Sequence, residues 1–528
     1  MQRELVLSNA SIHTMDPSQP TAEALAIRGN RILAVGSLQE MLSLCHKAER
    51  IDLAGRTVLP GFIDAHVHLS SYGLLLQQVD LGDAGSLEEA LQHIQRAARA
   101  IGDDQWLLGR GWNHNVWPDP VQPTRGDLDD VVDRIPVALS SKDGHALWVN
   151  SRALQIAGVG ASTPDPPGGQ ILRRSDGKPL GILTENAQSL IRKHIPSPSA
   201  ETMDQALRAA MRDAARLGIT GIHNCEGPDA LAAFQRLESR GELTLRVWHM
   251  IPVDVLAQAR QLGLRTGFGN DLLRIGHVKL FADGALGSGT AEMLAPYEDR
   301  PGECGVAVTT SEEMYEAVRM AVCGGLACAI HAIGDGANRR VLDIYERIAR
   351  EGLSPPLSQR IEHVQLLSPQ DLPRLAQLDV VASMQPIHAI HDMEMADRHW
   401  GERARWSYAW RSVLETGATL AFGTDCPVES LNPLEGLYAA ITRQRPEGYP
   451  RGGWYPQERL SLNQALRAYT LGSATASGEA RRKGSLTPGK LADLIVLEDD
   501  IHEHPEERLL TTSVCMTMVG GRIIYGEI

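Results

Sequence analysis

The sequence lacks long apolar runs and paired cysteines. No stretch approaches the roughly 18 apolar residues of a membrane-spanning helix, and the start of the chain has no apolar core behind a basic end. The seven cysteines are odd in number and form no Cys-x-x-Cys pair, which argues against a disulfide framework. We therefore predict a soluble protein of the cytoplasm.

Long blocks of like charge are also absent. Lysine and arginine number 51 against 65 aspartates and glutamates, which gives a formal net charge of −14. Since neither sign is clustered, we expect no surface for nucleic acid and none for an anionic membrane. The expected partner is a small-molecule substrate, and assembly into a homo-oligomer is left open.

Strand and helix signals alternate through the middle of the chain. A capping box at Ser86 opens one helix, and helical spacing predicts another over 201–217. Eight such repeats predict an α/β fold, namely a (β/α)8 TIM barrel with a parallel sheet. The eight strand candidates lie in 58–69, 218–223, 245–250, 277–281, 326–331, 360–363, 380–384 and 418–422.

Both ends of the chain carry short strand signals that cannot close a core alone. We predict that residues 1–58 and 485–528 combine into one small β-sandwich domain, with strands near 4–7, 22–27, 31–35, 491–497, 511–514 and 522–525. The barrel then occupies 59–104 and 186–484.

Residues 105–185 interrupt the strand–helix rhythm with Pro- and Gly-rich turns. The segment is predicted to be an insertion after the first barrel strand that covers the barrel mouth. It holds four of the nine tryptophans, which equally fit the core of a stability-bearing subdomain. The four are Trp106, Trp112, Trp117 and Trp148.

A His-x-His pair lies at the end of the first barrel strand, in Pro60-Gly-Phe-Ile-Asp-Ala-His-Val-His68. Side chains alternate along a strand, so His66 and His68 point the same way. Two convergent imidazoles suit zinc or a similar divalent metal. Alone the signal is weak, because such pairs are commonly ordinary polar residues.

Four more potential ligands fall at predicted strand ends: Lys279, His331, His363 and Asp425. Barrel enzymes gather their chemistry there. A lysine among apolar residues is costly unless neutral or paired, and a neutral amine can react with carbon dioxide to give a bridging carbamate. Each has a plain alternative: core histidines, an ion pair of Lys279 with Asp283, and Asp425 as a helix cap. Six at strand ends of one barrel favour a metal site.

This ordered set resembles the amidohydrolase superfamily. The Pro-Gly-Phe-Ile-Asp-Ala-His-Val-His opening and the β domain from both termini belong to the resemblance, and 109–113, 143–150 and 278–284 are similar to its family 3, the group around N-substituted formamide deformylase. The resemblance implies two metals, usually zinc, although other divalent metals stay open. It implies this ligand set: His66, His68 and Asp425 on one metal, His331 and His363 on the other, and carboxylated Lys279 bridging them.

The implied activity is hydrolysis of an amide- or formamide-type C–N bond in an N-substituted small molecule. A metal-bound hydroxide attacks the carbonyl, with Asp425 as general base. His145 is predicted to hydrogen-bond the substrate carbonyl or tetrahedral intermediate, although it could simply cap a turn, and Asp64 to orient a ligand histidine. A long loop over 385–410 suggests an apolar or aromatic substituent. The predicted substrate-binding residues are Trp112, His145, Gln385 and Trp410.

Two other classes of function stay open. One is a non-catalytic scaffold or regulatory protein that keeps the fold. The other is a Schiff-base enzyme in which Lys279 attacks a carbonyl substrate and the histidines are acid–base groups.

Overall fold

The computed structural model describes residues 3–102 and 105–526. The predicted domain limits at residues 1, 104 and 528 lie outside these ranges. The chain divides into two compact units: Gly73–Ala206 forms one, and Met1–Tyr72 together with Leu207–Ile528 forms the other. The smaller unit extends further at both ends than the predicted insertion. Within the described ranges, no helix is long and apolar enough to cross a membrane.

The described residues form twenty-two strands. In chain order these are β1 (Glu4–His13), β2 (Thr21–Arg28), β3 (Arg31–Gly36), β4 (Glu49–Asp52), β5 (Thr57–Pro60), β6 (Phe62–Val67), β7 (Val79–Asp80), β8 (Leu107–Trp112), β9 (Val137–Ser141), β10 (Ala146–Val149), β11 (Gly169–Arg173), β12 (Pro179–Glu185), β13 (Ile219–Asn224), β14 (Arg246–Pro252), β15 (Leu273–Phe281), β16 (Cys328–Ala332), β17 (Arg360–His363), β18 (Val381–Met384), β19 (Leu420–Phe422), β20 (Leu494–Leu497), β21 (Val514–Val519) and β22 (Arg522–Tyr525).

Eighteen α-helices accompany the strands in the described part of the chain. Their ends follow local chemistry: the Ser86 hydroxyl accepts from the Glu89 N–H at 3.1 Å at the start of α3, and Gly218, with φ 82°, follows α7. The helices are α1 (Leu38–Leu44), α2 (Leu69–Leu76), α3 (Leu87–Ala98), α4 (Arg125–Asp129), α5 (Ser151–Ala157), α6 (Ser189–Arg192), α7 (Ala200–Arg216), α8 (Pro228–Ser239), α9 (Leu256–Gln261), α10 (Ser311–Cys323), α11 (Asp335–Arg350), α12 (Leu372–Gln377), α13 (Pro386–Trp400), α14 (Trp410–Glu415), α15 (Pro433–Thr442), α16 (Leu462–Arg467), α17 (Ser473–Ala476) and α18 (Pro505–Thr511).

The predicted eight-stranded barrel is confirmed. Its strands run in the order β19-β18-β17-β16-β15-β14-β13-β6, and all neighbours are parallel. Two hydrogen bonds draw the ends of β19 and β6 together, from Asp425 N–H to the His66 carbonyl (2.7 Å) and from His68 N–H to the Cys426 carbonyl (2.8 Å). The carboxyl ends of all eight strands therefore meet at one rim.

Strands from both chain ends form one continuous eight-stranded sheet, β22-β21-β20-β5-β1-β2-β3, with β4 also on β1. The two ends join where β20 pairs with β5, for example Ile495 with Leu59. One predicted strand, 511–514, is wrong: α18 ends at Thr511 and β21 starts at Val514. The Pro505 start and the acidic first turn of α18 are helix signals that outweigh the β-branched threonines at its end.

The smaller unit has its own six-stranded sheet, β11-β12-β10-β9-β8-β7. Trp112, Trp117 and Trp148 are buried in one apolar cluster of this unit. The rings of Trp112 and Trp148 meet edge to face at 6.0 Å. For these three tryptophans the core alternative is correct.

The predicted long loop over 385–410 is mostly helix. Helix α13 covers Pro386–Trp400, with Pro386 in its first turn. Ile387, Ile390 and Met393 are buried at helical spacing. The richness in polar and aromatic side chains concealed that spacing.

Candidate metal centre

The structure brings all six predicted ligand side chains around one cavity of about 410 Å³ in the larger unit. They come from the carboxyl ends of five barrel strands: β6, β15, β16, β17 and β19. Donor atoms of three of them, His66, His363 and Asp425, lie within 4.8 Å of one another. The cluster therefore has the donor types and spacing of a metal site.

Hydrogen bonds indicate which ring nitrogen is free in three of the cavity histidines. His66 Nδ1 lies 2.6 Å from Glu362 Oε2, and His363 Nδ1 lies 2.9 Å from Gln385 Oε1. Nε2 of both rings is thus left for another partner. In His331 the Gly284 carbonyl accepts from Nε2 at 2.9 Å, which leaves Nδ1. Such outer partners are typical of metal-binding histidines.

Asp425 sits among the imidazoles as an ionised carboxylate. Its Oδ1 is 3.3 Å from His68 Nε2 and 3.6 Å from His66 Nε2. Burial raises the pKa of Asp425, but the hydrogen bond from His388 and the neighbouring imidazoles outweigh it and hold that pKa well below the usual range.

Lys279 is 4% exposed, and among the described residues its Nζ has no hydrogen-bond partner. The Phe281 ring centroid is 4.8 Å away. The alternative partner, Asp283, is engaged elsewhere: its carboxylate accepts the backbone N–H groups of Ile333, Gly334 and Glu292 at 2.9–3.0 Å. The lysine is therefore buried at the cavity without the ion pair that would account for it structurally.

Two cavity residues adopt left-handed backbone conformations, with φ 77° at His363 and 59° at Asp425. Strain of this kind costs about 1–3 kcal/mol per residue and clusters at functional sites. Asp64 helps to hold the strained backbone, since its Oδ1 accepts both the His66 and the Thr424 N–H at 3.0 Å. Asp64 thus positions backbone, and the predicted orientation of an imidazole is performed by Glu362 instead.

Two networks around the cavity were missed in the sequence. In the first, Glu362 is fully buried with Arg360, whose Nε lies 2.9 Å from its Oε1. Burial raises the pKa of Glu362, but the Arg360 charge and the His66 hydrogen bond hold it well below the usual range. One local signal was Ile361-Glu-His363, in which a carboxylate stands directly before a candidate ligand.

The second network backs Asp425. His388 Nε2 lies 3.2 Å from Asp425 Oδ2, and His388 Nδ1 lies 3.2 Å from Glu429 Oε1. Burial lowers the pKa of His388, but these two carboxylates raise it to about 10. A protonated imidazole therefore stands between two carboxylates. The only sequence signal was the Gln-Pro-Ile-His start of what proved to be α13.

Comparison with known proteins decides the family. A model described as the amidohydrolase family matches residues 49–525. The chain belongs to this family. The match spans the barrel and parts of both ends of the β domain, so the resemblance drawn from the motifs is confirmed.

The amidohydrolase is 35% identical to Protein LONG AFTER FAR-RED 3 of Arabidopsis thaliana, over 99% of this chain and 91% of that protein. It is 30% identical to N-substituted formamide deformylase of Arthrobacter pascens, over 99% and 98%. The crystal structure of an uncharacterized metal-dependent hydrolase from Pyrococcus furiosus matches with a TM-score of 0.80 at 30% identity, over 94% of this chain and 99% of that one. The amidohydrolase is thus an enzyme of the metal-dependent hydrolase class.

Two of the four predicted substrate-binding residues of the amidohydrolase, Gln385 and Trp410, lie in the larger unit. Gln385 is buried and bound to His363. Trp410 is a core residue, with 0% exposure and the Arg443 guanidinium 4.6 Å from its ring, so it does not line the cavity. Its bulk packs the barrel wall, which the sequence could not distinguish from a pocket lining.

The other two predicted contacts, His145 and Trp112, belong to the smaller unit. The His145 side chain is 66% exposed, and its Nδ1 lies 3.0 Å from Glu185 Oε1. That hydrogen bond raises the pKa of His145. Trp112 is buried, and its Nε1–H donates to the Leu139 carbonyl at 2.9 Å. Trp112 therefore contributes to the core of that unit.

Proposed function

We propose that this amidohydrolase uses divalent metal, two ions of the zinc type, to hydrolyse the C–N bond of an N-substituted amide or formamide. One observation carries the proposal: six donor side chains surround one cavity, and a buried Lys279 Nζ stands among them with no hydrogen-bond partner in the described part of the chain. The 30% identity to N-substituted formamide deformylase over nearly both whole chains supports the choice of bond.

The donor set fits such ions. Imidazole nitrogens and a carboxylate oxygen are ligands that zinc accepts. In our assignment His66, His68 and Asp425 would hold one ion and His331 and His363 the other. Lys279 would supply two further oxygens as a carbamate, formed when its neutral amine adds to carbon dioxide and releases a proton. When bound, the metals supply Lewis acidity and lower the pKa of water toward neutrality.

Asp425 is the general base in this proposal. Its low pKa keeps it ionised at neutral pH, so it can take the proton of the attacking water and deliver it to the leaving amine. His388 donates to the other carboxylate oxygen. Glu429 in turn contacts His388, so His388 and Glu429 together fix the orientation of the Asp425 carboxylate.

The cavity wall suggests the kind of substituent. Phe281 and Val428 line it, yet they are 45% and 68% exposed. Large apolar side chains left open beside a polar floor are typical of ligand sites. We infer that an apolar or aromatic substituent of the substrate covers them.

The test is metal content, measured by plasma mass spectrometry on protein expressed with zinc and bicarbonate. About two metals per chain at the barrel cavity, a content that falls sharply in Lys279→Ala, is the expected result for a lysine-bridged pair. N-substituted formamides and N-acyl amines are then screened as substrates. Activity without metal, with substrate trapped on Lys279 by borohydride, would instead establish the Schiff-base alternative. Protein that is metal-free and inactive in both samples would instead favour the non-catalytic scaffold or regulatory protein.

A further inference from the structure

A second group of metal-type side chains lies in the β domain, outside the barrel cavity. His13 ends β1, and Asp500 and His502 follow β20. One donor atom from each of the three lies within 4.8 Å of the others. All three side chains are half-buried. Nothing in the proposed hydrolysis uses them.

One carboxylate oxygen faces both histidines. Asp500 Oδ1 is 3.2 Å from His502 Nδ1 and 3.9 Å from His13 Nε2. The two rings stack, with centroids 3.5 Å apart and planes 11° from parallel. Ser11 Oγ adds a further oxygen 3.2 Å from His13 Nε2. Nitrogen and oxygen donors thus converge on one small region.

The contacts of His502 place a ring nitrogen and a carboxylate oxygen face to face. Asn463 Oδ1 lies 3.3 Å from His502 Nε2, and His502 Nδ1 lies 3.2 Å from Asp500 Oδ1. In the tautomer with the hydrogen on Nε2, the Nδ1 lone pair faces the Asp500 carboxylate, and a cation between them removes that repulsion. A hydrogen on Nδ1 serves only the contact between His502 and Asp500, whereas a metal ion is shared by all three donors.

We propose that His13, Asp500 and His502 bind one divalent cation of the zinc type. Two imidazole nitrogens with one carboxylate oxygen favour zinc over magnesium or calcium, which prefer oxygen ligands. Binding draws both nitrogens onto the ion and replaces the ring stack by coordination. The ion joins the first strand of the chain to a segment close to its end.

Such a link stabilises the fold. His13 and His502 are separated by nearly the whole chain, and an ion that holds them binds the folded state but not an open chain. Stability then rises with the free zinc concentration. The thermal unfolding midpoint of metal-free protein is therefore expected to increase as zinc is added.

The test is a calorimetric titration of metal-free, full-length protein with zinc alone. Wild type is compared with His502→Gln and with a matched control, His46→Gln, which changes an exposed histidine of the same β domain. In His502→Gln we expect one zinc fewer per chain, or binding at that site more than about tenfold weaker, a loss already typical of removing an outer partner. Equal zinc number and affinity in wild type and His502→Gln overturns the proposal.

Two further variants separate this site from the barrel. His66→Ala with His363→Ala removes barrel donors and is expected to keep one zinc per chain, which adding His502→Gln then abolishes. Loss of all zinc from a folded barrel variant, as judged by circular dichroism, overturns the proposal. If the barrel variant does not fold, the number of zinc ions per chain is measured in Asp500→Asn in the wild-type background, where one fewer is expected. Hydrolytic activity should be unchanged in this variant because Asp500 is outside the cavity. An undiminished count in Asp500→Asn likewise overturns the proposal.

Discussion

Asp425 is held from both sides by groups that keep it charged. His68 approaches one carboxylate oxygen at 3.3 Å and His388 the other at 3.2 Å. Asp425→Asn keeps the shape and one oxygen but cannot accept a proton. We expect metal to be largely retained and kcat to fall by about 10²–10⁴, the usual contribution of a positioned base. Steady-state kinetics and metal analysis on the same sample check this, and full activity in the variant would remove Asp425 from the chemistry.

In the proposed mechanism His388 is a positioning residue, and its removal has a distinct signature. The protonated imidazole lowers the pKa of Asp425, so in His388→Ala that pKa rises. Since the base must be ionised, the rate is then lost at a higher pH as the solution is acidified. We also expect kcat to fall by about 10–100-fold, as for other outer partners. The pH profile of kcat tests this prediction. His388→Gln, which keeps a hydrogen-bond donor, is the matched comparison and should recover part of the lost kcat.

The partners within each network could not be predicted from the sequence, for a physical reason. Glu362 contacts His66 and His388 contacts Asp425, and both pairs are distant along the chain. Which side chains meet inside a barrel depends on strand register, such as Ala332 beside His363. The six candidate ligands could be predicted because they lie at the ends of apolar strands, with His66 and His68 both at the end of β6, and a strand end is a local signal.

Strand β17 shows how one element supports the site. It carries Arg360 and Glu362 into the barrel interior with 0% exposure and places His363 at the rim. Arg360 also donates to the Ala65 carbonyl at 2.7 Å and to Ser383 Oγ at 2.9 Å. One arginine thus links β17 to β6 and β18, while Glu362 fixes the His66 ring.

Removing Arg360 alone is expected to destabilise the fold more than replacing Arg360 and Glu362 together. Arg360→Met leaves the Glu362 carboxylate buried without its cation, which costs about 3–5 kcal/mol in unfolding free energy. Adding Glu362→Gln removes the unpaired charge, so the double variant should recover part of that loss. A double-mutant cycle on thermal unfolding measures the coupling. Strictly additive effects would show that the two side chains do not act as a pair.

Helix α13 marks the limit of sequence-based prediction at this scale. Its buried face is hard to recognise in the sequence because polar and aromatic side chains dominate the segment. The barrel strands were predicted because continuous apolar runs are typical of parallel strands covered on both faces. The β domain could be predicted from short strand signals at both ends of the chain. The pairing of β5 with β20 joins the two ends.

At the scale of the whole molecule, buried histidines contribute to the response to acid. Burial lowers the pKa of His249 from 6.5 to about 4, and burial followed by the Arg360 charge lowers that of His277 to about 3. Both rings are neutral when folded, whereas in the unfolded chain they protonate near pH 6.5. Between those values the unfolded state binds more protons, so stability falls as the pH falls.

The acid sensitivity is testable at one ring. His249 is 1% exposed and accepts from the Asn224 amide at 3.4 Å. Its contribution is absent above about pH 6.5 and grows by about 1.4 kcal/mol of lost stability per pH unit down to its folded pKa. We expect thermal midpoints measured from pH 7 to pH 4 to fall less steeply in His249→Gln than in wild type. His46→Gln, at an exposed position, should follow the wild-type slope. Identical slopes in wild type and His249→Gln would mean that other groups govern acid unfolding.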